Sequence, residues 1–245
     1  MDKLKISIIT VTFNAESVIG ESINSIISQD YDNKEIIIID GLSTDDTINV
    51  INTFKNKIDI VLSEKDFGIY DAMNKGLELA SGDFLIFINA GDFFFSNDTI
   101  SKVVNFITQK NAIYYGNAIY LSEDKNKKYE RGGVFDKFRL ASTNICHQTI
   151  FYPKKVYKYE KYNINFRLFA DWEYNMRCYK NNISFLHINQ TISLYDHTGV
   201  SITQMDLNFE REVKKIIFKN LGVLPIIYLG IRKYYKKIQY NQLWK

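Results

Sequence analysis

The chain has 245 residues, 46% of them hydrophobic and 24% charged, with 12 Gly, 2 Pro and 2 Cys. That composition excludes collagen-like, disordered and disulfide-stapled proteins, and it supplies enough apolar residues to bury a full core. The net charge of +3 is unevenly spread: residues 211–245 carry nine Lys or Arg against the single acid Glu212, so the rest of the chain is net acidic. Cys146 and Cys178 show neither CxxC spacing nor obvious metal partners and read as intracellular thiols. Met1 to Lys5 run straight into an apolar stretch with no small-residue cleavage site, so a cytoplasmic protein without a signal peptide is expected.

Ile6 to Thr12 is a β-branched run that predicts a strand. Ser17 to Gln29 then places Ile19, Ile23, Ile26 and Ile27 on one helical face. Glu35 to Asp40 holds four consecutive isoleucines, the pattern of a strand buried on both faces, and Ser43 with Asp46 reads as a capping box opening the next helix. A third strand is expected over Asp59 to Ser63, a helix over Ile69 to Ala80 and a fourth strand over Asp83 to Asn89. Ser96 to Thr108 reads as a helix, Ile113 to Leu121 as a strand and Glu123 to Lys128 as a charged turn. Residues 130–200 are aromatic and weakly periodic, which predicts loops and short elements over the sheet. Helices are expected at 209–220 and 226–240, broken near Gly222 and Pro225.

Strands alternating with helices of this length imply right-handed crossovers and an α/β fold around a mainly parallel sheet. In such sheets ligands sit beyond the carboxyl ends of the strands. Thr12, Phe13 and Asn14, then Asp40, then Glu64 to Asp66, then Asn89 to Asp92 occupy those ends. The rim is therefore polar and acidic. A dehydrogenase-type GxGxxG turn is missing after the first strand, as are a Ser-His-Asp nucleophile elbow and a zinc pattern.

Four stretches in order carry a resemblance. Ile6 to Asn14, Glu35 to Thr47, Gly68-Ile-Tyr-Asp-Ala-Met-Asn-Lys-Gly76 and Gly82 to Asp92 resemble the family 2 glycosyltransferases of bacterial polysaccharide synthesis, which have the GT-A fold. The likeness is dense over residues 6–95 and sparser to about 203. It implies a domain over 1–208, with a nucleotide-binding half (1–95) and an acceptor half (96–208), followed by a basic helical tail (209–245).

The resemblance implies an inverting transfer of a sugar from a nucleotide diphosphate, UDP most often in the family, to a hydroxyl. Asp40 matches the nucleotide-binding acid, and Thr12, Phe13, Asn14, Asp66, Asp71 and Asn89 fall in the donor region. A divalent cation, Mn2+ or Mg2+, would offset the charge of the leaving diphosphate. The family motif at its position is commonly DxD, whereas here Asn89-Ala90-Gly91-Asp92 keeps only Asp92 as a carboxylate. His197 lies in a segment resembling one near the diphosphate and is a second candidate ligand. Asp171 matches the general base. His147, Trp172 and Glu173 are expected on the acceptor side, while His187 in its apolar run reads as structural.

In the tail, Leu221 to Ile231 is apolar for too few residues to cross a bilayer, and basic and aromatic residues flank it. That pattern fits peripheral attachment to the inner membrane face, bringing the enzyme to a polyprenyl-linked glycan. Packing on the domain or a dimer contact are the other readings of the tail. Nucleic acid is excluded by the acidic body. The alternative to an enzyme is a non-catalytic sugar- or nucleotide-binding scaffold, for which the weakened metal motif speaks.

Overall fold

A computed structural model describes residues 3–121, 128–196 and 205–242. The first half runs β1 (Ile6–Thr12), α1 (Ile19–Ile27), β2 (Lys34–Asp40), α2 (Thr47–Asn52), β3 (Ile60–Ser63), α3 (Ile69–Leu79) and β4 (Phe84–Phe87). β3, β2, β1 and β4 are neighbours in that order and all parallel. The period of two along β1 divides its side chains between two layers. Ile6 and Ile8 join one apolar cluster with Ile26 of α1, whereas Ile9 and Val11 join another with Met73 and Leu77 of α3. α3 lies so close to the sheet that a Cβ on Gly76 would stand 2.6 Å from Ile9 Cγ2. Only glycine allows that approach.

The second half runs β5 (Asp92–Phe94), α4 (Thr99–Phe106), β6 (Ile113–Leu121), β7 (Lys128–Arg131), α5 (Lys137–Ser142), β8 (Ile150–Pro153), α6 (Lys154–Tyr157), α7 (Ala170–Lys180) and β9 (Phe185–Asp196). β8 joins β4 antiparallel and passes the sheet on to β6; β9 pairs parallel with β6 and antiparallel with β5. The described strands thus form one sheet ordered β3-β2-β1-β4-β8-β6-β9-β5, with β7 added beside β6. Parallel pairing holds for the first four strands and gives way to a mixed arrangement beyond them.

Two local expectations are corrected. Ser43 does not cap α2: its Oγ donates to Asp40 Oδ1 at 2.5 Å, so it is committed to the strand end behind it. Residues 130–196 are more regular than their sequence suggests, containing an 11-residue helix and a 12-residue strand. Aromatic stacking replaces aliphatic periodicity there, with Tyr162 on Tyr174 at 4.5 Å and Tyr152 edge-on to Tyr174 at 5.3 Å. The Glu123 to Lys128 turn, apart from Lys128, lies outside the described residues.

The tail forms the two helices expected of it. α8 (Leu207–Leu221) and α9 (Val223–Gln242) are separated at Gly222, whose φ of 84° turns the chain; Pro225 sits within the first turn of α9, where its missing N–H costs nothing. Phe209, Ile216, Ile217 and Leu221 are buried in the same cluster as α3 and α7. Residue 208 is therefore no packing boundary. α9 keeps an exposed apolar face of Leu224, Ile227 and Ile231. Among the described residues no helix is long and apolar enough to cross a membrane.

At the amino ends of the strands, Glu35 is 5% exposed and accepts from Ser7 Oγ, from the backbone and hydroxyl of Ser81 and from Gly82 N, with Lys5 Nζ at 2.6 Å. Burial alone would raise its pKa, but the bonds from Lys5, Ser7 and Ser81 outweigh it and lower the group from 4.5 to about 2. Its contribution is complete above pH 4.5 and disappears as the pH falls towards 2. Glu35→Gln is expected to cost about 2 kcal/mol at pH 7, and that cost shrinks steadily below the unfolded pKa; urea titrations at pH 7 and pH 3 measure both.

Candidate active site

Beyond the carboxyl end of β4 lies a cavity of about 1030 Å³. Asp71 of α3, Asn89 and Asp92 after β4, His147 in the turn before β8, and Asp171 and Trp172 of α7 all line it. Six residues singled out in the sequence thus meet in one space, drawn from both halves of the chain.

Asp171 is 5% exposed although it is a carboxylate at a cavity wall. Tyr70 Oη donates to its Oδ1 at 2.8 Å, the Trp172 N–H donates to the same oxygen at 2.9 Å, and Asn144 Nδ2 donates to Oδ2 at 2.7 Å. Three donors offset much of the cost of desolvating the ion. Oδ2 still has lone-pair capacity facing the cavity. Trp172 is turned so that its Nε1 donates to Leu140 O at 2.6 Å while its ring packs on Phe209 of α8.

His147 lies between Asp171 and Asn89. Its Nδ1 is 3.7 Å from Asp171 Oδ2, and its Nε2 is 3.2 Å from Asn89 Nδ2. With the Asn89 amide donating to Nε2, the neutral ring carries its proton on Nδ1, towards Asp171. Burial opposes the imidazolium, but the hydrogen bond to Asp171 and the charges of Asp171 and Asp92 prevail and lift its pKa above 6.5. Asp92 is raised, mainly by burial, against the opposing pull of His147, Gln148 and the Asn89 backbone. Gln148 Nε2 donates to Asp92 Oδ1 at 3.1 Å and the Asn89 N–H to Oδ2 at 3.3 Å. Burial and the charge of Asp92 push the Cys146 thiol up to about 12, so it is protonated and is no nucleophile.

The residues at the ends of β1 and β2 form an adjoining group. Asp40 is fully buried and accepts from Ser43 N at 3.0 Å, Ser43 Oγ at 2.5 Å and Ser63 Oγ at 2.6 Å. Its carboxylate fixes the loop after β2 and does not line the cavity. Asn14, with φ of 47°, accepts from Thr44 N at 2.8 Å and ties the loop after β1 to the same segment. Phe13 is 59% exposed. A Cβ on Gly41 would stand 2.5 Å from Asp66 Oδ2 and 3.3 Å from the Phe13 ring, so these three pack directly. Thr12 Oγ1 is buried with no hydrogen-bond partner. Asp66 also accepts from Gly68 N at 2.9 Å and so shapes the turn that presents Phe67 and Asp71 to the cavity.

Glu173 does not join the site. Both its oxygens take Arg177 Nε at 2.9 Å, one turn along α7, which holds it away from the cavity. His197 lies outside the described residues. His187 is structural as expected, held by Asn117 Oδ1 at 2.7 Å and by Gly133 N. The sequence did not single out Tyr70, Asn144 or Gln148 for the site. Tyr70 shares the helical period of Met73 and Leu77 and reads as core; Gln148 follows His147 directly and could have been found; Asn144 carries no local signal.

Whether a divalent cation fits is decided by the donors. Among the described residues no three His, Cys, Asp or Glu side chains converge on a point. Asp92 is the one carboxylate at the rim position, and magnesium or manganese often takes a single carboxylate when phosphate oxygens and water supply the other ligands. The residues therefore fit a cation that arrives with a phosphate, held by Asp92, and not a preformed protein cage.

A parallel half-sheet continued by a mixed half, with an acidic cavity across the strand ends, is the architecture of the GT-A transferases. The chain belongs to Glycosyl transferase family 2, whose description matches residues 7–181. It is 34% identical over 242 residues to the PGL/p-HBAD biosynthesis glycosyltransferase of Mycobacterium bovis, covering 95% of this chain and 91% of that one. An uncharacterized glycosyltransferase of Haemophilus influenzae is 30% identical over 237 residues, covering 92% and 93%. In structure, the chain superposes with a TM-score of 0.73 on Staphylococcus aureus TarS 1-349 solved with UDP-GlcNAc, at 20% identity over 89% of this chain and 66% of that one. The mannosyltransferase PcManGT of Pyrobaculum calidifontis, solved with GDP-Man and Mn2+, gives 0.61 at 13% identity over 78% of this chain and 56% of that one. The chain is thus a glycosyltransferase of the GT-A fold.

Tyr70→Phe removes the hydroxyl whose one proton is shared between Asp171 Oδ1 at 2.8 Å and Leu168 O at 2.7 Å, with little change in shape. Turnover is expected to fall about tenfold with donor KM within twofold, because one charge-assisted hydrogen bond to the Asp171 carboxylate contributes about 1.5 kcal/mol; steady-state kinetics measures the split.

Proposed function

We propose that this enzyme transfers a sugar, with inversion, from a nucleotide-diphosphate sugar to a hydroxyl of a lipid-linked glycan in surface polysaccharide synthesis. The observation that carries this reading is the Asp171 carboxylate, buried at 5% exposure, anchored by Tyr70 and Asn144 and sharing one cavity with Asp92. A base on one wall and a phosphate-side carboxylate on the other suit in-line displacement at an anomeric carbon.

In this reading the nucleoside lies against Phe13 and Asp66, beside the loop that Asp40 holds. Asp71 and Asn89 border the diphosphate. The acceptor enters beside Trp172 and His147. As its oxygen bonds to the anomeric carbon, its proton passes to Asp171 Oδ2, and the bond from that carbon to the diphosphate oxygen breaks on the opposite face. Tyr70 and Asn144 keep the base in place, and His147 limits its rotation. A cation held by Asp92 supplies charge stabilisation to the leaving diphosphate when bound. The S. aureus neighbours solved with UDP and UDP-GlcNAc support a uridine donor, and the archaeal neighbour makes guanosine the comparison to run.

The acceptor's lipid accounts for two exposed apolar surfaces. Phe67, Ile69 and Ile164 form an apolar lip on the cavity, exposed at 82%, 43% and 48%. α9 packs on α5 through Phe138 and Tyr228, and α8 packs on Trp172 of α7, so the exposed face of α9 stands beside the acceptor wall. Arg232 and Lys233 flank that face and suit anionic headgroups.

Thermal shift with UDP, GDP, CDP and dTDP, each with and without manganese, tests the donor class. UDP is expected to stabilise the protein most, and more so with manganese; no shift from any of the four sinks the reading. Asp171→Asn should keep that shift while turnover drops about a thousandfold. NMR of the product's anomeric proton reads the stereochemistry, and retention would exclude this mechanism.

For the membrane face, Ile227→Ser with Ile231→Ser is expected to abolish flotation on phosphatidylglycerol vesicles and leave the melting temperature unchanged. Equal flotation of the variant and the parent would remove the membrane assignment.

A further inference from the structure

The rim offers the diphosphate a single carboxylate at the metal position, so the remaining charge compensation has to come from elsewhere in the cavity. Arg131, the last residue of β7, lines that cavity. Its surroundings follow from strand register. Asp92 pairs with Tyr195, Tyr195 with Tyr120, and Tyr120 with Tyr129, forming one row across β5, β9, β6 and β7. Residues directly opposite each other point to the same face of a sheet, as do residues two apart along a strand. Arg131 is two residues from Tyr129 and therefore shares a face with Tyr195 and Asp92.

The side chain reaches back along that face. Arg131 interacts with the Tyr195 phenol, and its Nη2 donates to Thr143 Oγ1 at 3.5 Å. Tyr195 is the direct cross-strand partner of Asp92, and both line the cavity with Arg131. Cys146, another lining residue, lies within electrostatic range of Arg131, Asp92 and Asp171. The guanidinium thus shares the cavity with Asp92, with Tyr195 against it as the cross-strand partner of that carboxylate.

We infer that Arg131 binds the β-phosphate of the nucleotide-sugar donor and stabilises the charge that develops on it as the bond to the sugar breaks. The inference rests on the function proposed above and adds to it a residue to which neither the family motifs nor the relatives' names assign any role. A guanidinium presents paired N–H donors that match two oxygens of one phosphate, and it keeps its charge at any working pH. Asp92 and Arg131 then divide the work: the carboxylate holds a cation that comes with the phosphate, and the guanidinium binds phosphate oxygen directly. Tyr195 and Thr143 hold the arginine extended before the donor binds, which lowers the ordering cost.

Isothermal titration of the full chain with UDP and UMP, with GDP and GMP in parallel, tests the assignment because only the diphosphates carry the β-phosphate. Arg131→Gln is expected to weaken UDP binding about thirtyfold, a loss in line with a charge-assisted phosphate contact, while UMP binding stays within twofold. Arg131→Lys should recover part of the UDP affinity. Retained UMP binding also reports that the variant is folded. Equal affinity of Arg131→Gln and the parent for UDP, or an equal loss for UDP and UMP, overturns the role of Arg131 and leaves the proposed function standing. A parent chain that binds none of the four nucleotides overturns the function and this inference together.

Discussion

The hydrogen bonds that close on the Asp171 carboxylate are the constraint on which the rest of the site depends. Tyr70 comes from the helix after β3, Asn144 from the loop before β8, and the Trp172 N–H from α7 itself. An ion 5% exposed is tolerated only if its donors arrive together, so these segments must hold their relative positions to within a hydrogen-bond length. The packing beneath provides this. Tyr162 stacks on Tyr174 of α7 at 4.5 Å and lies 5.4 Å from Tyr70, forming an aromatic bridge between α3 and α7. The same bridge joins the parallel half of the sheet to the mixed half, so cavity and core are parts of one packing arrangement.

Much of the first half was legible because its signals are local and redundant. Four isoleucines in a row specify a strand covered on both faces, and Tyr70, Met73 and Leu77 mark a helix period on the apolar side of α3. Ser43 misled for an equally local reason: the same hydroxyl can cap a helix ahead of it or satisfy a carboxylate behind it, and the buried Asp40 had the stronger claim. Residues 130–196 were illegible as regular structure because their apolar surface is mostly aromatic. A tyrosine fills a core from a position where hydropathy counts it as polar, so periodicity fades while packing stays dense. The tail showed its helices but not their destination, since burial of Phe209 and Ile217 depends on a groove made by α5 and α7.

For the site, the carboxylates were visible and their company was not. Asp92, His147 and Asp171 were found through spacing and family likeness, and the structure brings them into one cavity. Asp40 and Glu173 looked equivalent to them in sequence, yet Ser43 and Ser63 bond to one carboxylate and Arg177 to the other, and neither lines the cavity. Whether an acid faces a ligand or a neighbour is decided by residues far away in the chain, beyond the reach of any window. Tyr70 and Asn144 illustrate the converse, being ordinary in sequence and indispensable in space.

The protonated state of the cysteines has a practical consequence. Burial, with Asp92 nearby, holds the Cys146 thiol up to about 12, and burial with the charge of Glu160 drives Cys178 higher still. Oxidants and alkylating reagents consume thiolates, and near neutrality these two side chains offer almost none. The protein is therefore expected to resist air oxidation and maleimide near neutrality, so that a cysteine introduced on its surface becomes the addressable point for a fluorophore or a spin label.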